Sequence, residues 1–219
     1  MKSFDNEEMP EIVFCDNHLL VAAKPAGLLT QPDESGKFSL EEWAKVWVKK
    51  EFNKPGNVFL HCIHRLDKPV SGLVLFARTS KALSRLNEQS RHLEIQRTYI
   101  AEVEGILSQK EGRLDHYLIH GDHAAIVAKE GDRDAKHARL TYEVLRFLQH
   151  STLVSIELET GRYHQIRAQF SAIGHPVVGD GRYGAKPLPS IHLHSAKLSF
   201  QHPVTQEILR FESPAPFIP

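Results

Sequence analysis

Three segments of this chain, residues 99–103, 138–144 and 154–158, alternate apolar and polar side chains with a period of two, the period of a half-buried strand. In the first, Tyr99, Ala101 and Val103 point one way, Ile100, Glu102 and Glu104 the other, and Gly105 ends the run. Residues 73–77, Leu-Val-Leu-Phe-Ala, form a continuous apolar run short enough for a strand buried on both faces. Further strands are expected at residues 12–14, 19–23 and 58–64, with two more around His202-Pro203 between Ile191 and Phe211. Helical signals are fewer. Ser39-Leu40-Glu41-Glu42 reads as a capping box, followed by Leu40, Trp43, Ala44 and Trp47 at helical spacing. Ser80 can cap a second helix, with Leu83, Leu86 and Leu93 on one face. A third starts at about His164, with Ile166, Phe170 and Ile173 on one face and Gly174 as its left-handed stop. Residues 107–137 are polar and rich in Gly and Asp, and are expected to form loops with short strands. Strands outnumber helices without regular βαβ alternation. The expectation is an α+β fold whose mixed sheet is mainly antiparallel, with helices and loops flanking it.

No repeat or Gly/Ser-rich linker divides the 219 residues, so one domain over 12–219 is expected behind a short tail, 1–11. With 41% hydrophobic and 25% charged residues the chain can bury a core, which excludes a disordered or low-complexity chain. The acidic first ten residues have no apolar core like that of a secretory leader, and no apolar run reaches the length of a spanning helix. Cys15 and Cys62 form no framework and read as reduced thiols, so a cytoplasmic protein without membrane association is expected, a monomer by default.

Formal net charge is zero, 27 basic against 27 acidic side chains. That sum is a cancellation. Residues 1–60, 61–100, 101–160 and 161–219 balance at −3, +4, −4 and +3, so a folded chain can gather positive charge locally while staying neutral.

Each basic block carries a cluster of chemistry-bearing residues. His64-Arg65-Leu66-Asp67 leads through Ser71-Gly72 into the buried run at Leu73. A carboxylate on a turn between two strands can project from a rigid base, and Arg65 and Lys68 nearby would keep it ionised. The bland alternative is an aspartate that caps its own turn. Thr160-Gly161-Arg162-Tyr163-His164-Gln165-Ile166-Arg167 brings two guanidiniums, an imidazole and an amide to a helix N-terminus, a setting suited to an anion. Dinucleotide and P-loop glycine patterns are absent.

These residues carry a resemblance. His64-Arg65-Leu66-Asp67 with Ser71-Gly72 resembles the catalytic signature of the RluA-type family of RNA pseudouridine synthases. Four other segments agree in order. Residues 16–28, with Lys24-Pro25-Ala26-Gly27, resemble the family's N-terminal strand pair and KPxG turn; residues 97–105 resemble its tyrosine motif. Gly161 to Arg167, with Gly174-His175-Pro176 and Gly179-Asp180 beyond, resemble its GRxHQ(I/L)R motif, and residues 193–198 with His202-Pro203 its closing segment. The match spans about residues 12–211. Lys68-Pro69-Val70 and Ser195 depart from the usual pattern, in positions that bear on substrate fit more than on chemistry.

The resemblance implies a stand-alone catalytic domain with a central RNA-binding cleft, acting without a cofactor on uridine in ribosomal or transfer RNA. The N1–C1′ bond breaks, the base rotates, and C5 bonds to C1′. It also implies the roles. Asp67 would be the nucleophile at C1′ of the ribose or C6 of the uracil, Arg167 its partner, and Tyr99 the ring that stacks on the base and helps remove the C5 proton. His64, Arg65, Lys24, Arg162, His164 and Gln165 are the candidates for substrate contacts, and Leu193 or Leu198 for lining the pocket. The target base must leave its stack to be reached. Two other classes compete: an RNA-binding module that has lost catalysis, against which the intact Asp67, Tyr99 and Arg167 speak, and a metal-dependent hydrolase built on His61, His64, His192 and His194. No HExxH or paired CxxC supports the latter, and no metal is expected.

Overall fold

The computed structural model describes residues 9–218. Most of the tail expected over 1–11 therefore lies outside the described residues. Eleven strands, three α-helices and one 3-10 turn follow in order, and every pairing between strands for which a register is defined is antiparallel, which makes the fold α+β. The chain folds as two compact units, one ending at Ile95 and taking up Ser195–Ala215, the other Gln96–His194 with the residues from Pro216 onward.

In the first unit β1 (Glu11–Cys15) pairs with β2 (Leu19–Lys24), and β2 with β4 (Ser71–Ala77), whose seven side chains are all buried. Its other edge carries β3 (His61–Cys62), while β10 (Leu193–Gln201) neighbours β4 and pairs with β11 (Ile208–Glu212). Leu19, Val21, Leu73, Leu75, Leu86, Leu198 and Phe200 make the core. The capping box forms as read: Ser39 and Glu42 bond reciprocally at the start of α1 (Leu40–Glu51). The buried stripe of α1 is Leu40, Ala44 and Val48, and the two tryptophans lie half-buried at its margin.

Three expectations shift here. The strand expected over 58–64 shrinks to two residues, which pair with Ala77 and Phe76, and the Ile63 amide then bonds the Leu75 carbonyl as the chain leaves the sheet. Helix α2 (Ser80–Arg91) is capped by Thr79, whose hydroxyl accepts from Ala82, so Ser80 is already its first residue. Leu93 falls past the end of α2 in a left-handed conformation, exposed and off the apolar face.

The second unit is a five-stranded antiparallel sheet in the order β5 (Gln96–Glu104), β9 (Ser151–Leu158), β8 (Lys136–Phe147), β6 (Glu111–His120), β7 (Ala125–Ala128). The stretch expected to be mostly loop holds the ten-residue β6, paired on both edges. Helix α3 (Gln165–Ala172) packs over β6 and β7. The side chain of Gln169, wholly buried, donates to the carbonyls of Leu114 on β6 and Ala138 on β8 and so fixes the helix to the sheet. Gly174 stops it at φ +80°, as read.

Candidate active site

In the first unit, Asp67 sits on the turn between β3 and β4. The residues on either side of it are pinned. Leu66 is tied to Thr30 twice: the Thr30 hydroxyl donates to its carbonyl at 2.7 Å and accepts from its amide at 3.1 Å. The carbonyl of Lys68 accepts from the Gly27 amide at 2.8 Å and from the Lys24 ammonium at 3.2 Å, while Val70 closes the turn onto the Asp67 carbonyl at 3.0 Å. Leu66 and Val70 are buried beneath. Anchoring on both sides leaves little backbone freedom at the carboxylate. Where the turn enters β4, Gly72 stands at φ +118°, and a Cβ there would lie 2.4 Å from the backbone oxygen of Ser195. Glycine is required on both counts.

Lys24 does not reach outward for a phosphate, as its sequence position suggests. It is only 2% exposed, and its Nζ donates to the carbonyls of Pro25, Leu28 and Lys68. Burial pulls its pKa down to about 7, the Asp67 carboxylate pulls back upward, and Lys68 adds to the depression. Lys24 therefore braces the turn and couples electrostatically to Asp67. His64 is buried, its Nε2 accepting from the Leu75 amide, whereas Arg65 is exposed.

In the second unit, Tyr99 lies on β5 with Ala101 and Val103, all three buried, as the alternation requires. Arg167 is on the first turn of α3 and is 3% exposed. Its Nε and Nη2 bond the two oxygens of Asp180 at 2.6 and 2.9 Å, and its guanidinium lies 5.0 Å from the Tyr183 ring centroid. A bidentate grip over an aromatic face fixes the plane of the cation as well as its position. The sequence signal for Asp180 is its place one residue after Gly179, beyond the Gly161–Arg167 motif. Thr30 carried no signal.

His164, expected at the substrate, is buried in the left-handed conformation (φ 51°), its ring stacked on Tyr163 and its Nδ1 3.0 Å from the Tyr183 hydroxyl. Gln165 is also turned inward. Its Oε1 accepts from the Thr160 hydroxyl and the Arg162 amide, and its Nε2 donates to the Arg139 carbonyl, so its amide latches the loop before α3. Leu193 is buried. Arg162 is exposed, with its Nε on the His137 carbonyl. Among the described residues no group of three or more His, Cys, Asp and Glu side chains is arranged to hold a metal ion.

The model of the RNA pseudouridylate synthase family matches residues 18–172. The chain belongs to that family. It is 37% identical over 212 residues to the dual-specificity RNA pseudouridine synthase RluA of Pasteurella multocida, covering 94% of each chain. It is 32% identical to ribosomal large subunit pseudouridine synthase C of Escherichia coli K12, over 93% of this chain and 66% of that one. Among solved structures, human RNA pseudouridylate synthase domain containing 4 shares the fold with a TM-score of 0.80 at 22% identity, over 94% of this chain and 89% of that one. Pseudouridine synthases are isomerases that act on RNA.

Proposed function

We propose that this protein isomerises uridine in ribosomal or transfer RNA, with Asp67 as the nucleophile. The observation that carries the reading is the fixing of two opposite charges: an aspartate on a turn anchored at both neighbours, and an arginine clamped by Asp180 and backed by Tyr183. Asp67 attacks C1′ or C6, the N1–C1′ bond breaks, the base turns about its own axis, and C5 forms the new bond to C1′. The proton lost from C5 is balanced by one gained at N1. Arg167 holds the aspartate charged and aimed. Tyr99 stacks on the base and assists removal of the C5 proton. The exposed Arg65 and Arg162 meet the RNA backbone, and His64 and Leu193 shape the site from within. We propose that 12–219 acts as one catalytic domain. We propose further that it works as a monomer in the cytoplasm. Two free thiols support a reducing compartment, and burial pushes the Cys62 thiol up to about 12, which leaves it unreactive.

The names of the relatives support a ribosomal substrate. Mapping pseudouridine in unmodified ribosomal and transfer RNA transcripts after incubation tests this: the enzyme marks defined uridines and Asp67→Ala marks none. Transcripts of both classes left unmodified, or modification surviving Asp67→Ala, would refute it.

A further inference from the structure

Arg97, which the catalytic scheme does not use, stands on the face of β5 that carries Tyr99, two residues before it. Its side chain is half-buried, and its Nε is shut off from solvent without a hydrogen-bond partner. Its terminal nitrogens lie against Gly161, where an added Cβ would be 3.2 Å from Nη2. Arg139 Nε is likewise buried without a hydrogen bond, but it has the Glu159 carboxylate 3.4 Å away to pair with, while Arg78 bonds the Asp16 carbonyl and Arg167 bonds Asp180. Glu159 and Asp115 are committed to other cations. Glu159 is engaged by Arg113 at 2.9 Å and Arg139 at 3.4 Å, and Asp115 bonds His137.

A guanidinium that has given up part of its hydration and found no acceptor costs free energy, and native structures tolerate it where a ligand supplies the acceptor. We propose that Arg97 binds a phosphate of the RNA backbone, together with Arg162 on the adjoining turn. The planar fork suits two phosphate oxygens. Residues two apart on a strand are separated by about 7 Å, so a nucleotide whose base rests at Tyr99 carries a phosphate within reach of Arg97. This rests on the reading of RNA as substrate and adds an anion site to it.

The test is the salt dependence of binding to a mixed-sequence single-stranded RNA oligonucleotide, measured for the wild type, Arg97→Gln and Arg97→Lys. One lost phosphate contact weakens binding across sequences and lowers the slope of log K against log salt by about one. Arg97→Gln is expected to show that loss and Arg97→Lys to restore the slope. An unchanged slope in Arg97→Gln overturns the proposal even where the wild type is active. A wild type that binds with the full slope yet forms no pseudouridine overturns the proposed function and leaves the anion site standing. If Arg97→Gln does not fold, the Nε–H resonance of Arg97 in the wild-type protein decides: it shifts when the oligonucleotide is added, and a resonance that stays in place contradicts the site.

Discussion

Asp180 governs how Arg167 can act, because it takes both the Nε and Nη2 donors of a guanidinium almost closed to water. Replacing it with asparagine leaves the shape but removes the charge that compensates the arginine. Breaking one side of a buried pair costs roughly 3 kcal/mol. Asp180→Asn should therefore melt earlier and, at temperatures where it stays folded, lose about a hundredfold in kcat with a much smaller change in KM, as misaimed groups do. A kcat at the wild-type level would show that Asp180 serves stability alone. Lys24 supplies a pH signature. With a folded pKa near 7 against about 10.5 when unfolded, the unfolded chain holds the extra proton between those values, so stability from this group rises with pH across that window. The stability difference between the wild type and Lys24→Met should move in favour of the wild type by a few kcal/mol from pH 7 to about pH 10. Paired denaturant titrations measure it, and a flat difference would mean that the lysine titrates normally.

At the scale of elements, β4 carries the most exacting constraint. Gly72 combines a positive φ with backbone contact to Ser195, and no rotamer relieves either. Gly72→Ala is expected to destabilise the protein by about 2 kcal/mol or more, read as a lower midpoint in thermal or denaturant unfolding. A midpoint shift within error would mean that β4 and the chain at Ser195 separate easily. The same strand shows what the sequence makes legible. A continuous apolar run such as 73–77 can be recognised because burial on both faces demands apolar residues at every position. Strand β6 escapes that logic: only Leu114 and Leu118 are buried along its ten residues, His116 stands between them, and hydrogen bonding to β7 and β8 sets its length. Its composition is that of a loop. Helix α2 starts one residue early for a related reason, since Thr79 and Ser80 are equally able to cap and only the tertiary path selects between them.

Across the whole molecule, the motif-bearing side chains read from sequence divide into two kinds. Asp67, Tyr99 and Arg167 sit in well-defined local frames, and Arg65 and Arg162 are exposed where RNA can meet them. Lys24 and Gln165 are equally prominent in the motifs yet spend their polar groups on their own turns. Sequence spacing marks both kinds alike, because it records that a residue matters and not which way its donors point. Asp180 and Thr30 act through contacts with residues 13 and 36 positions away, a separation that local pattern does not encode. The neutral total charge likewise hides the basic blocks at 61–100 and 161–219, which contain Asp67, Arg97, Arg162 and Arg167. In the proposed reaction these groups exchange the N1–C1′ bond of uridine for C5–C1′, which must release the hydrogen on C5. Transcripts carrying tritium on C5 of uridine measure that step directly: the wild type should release tritium to water in proportion to the pseudouridine formed, and Asp67→Ala should release none. Tritium retained in the RNA by the wild type, or released equally by Asp67→Ala, would contradict the account.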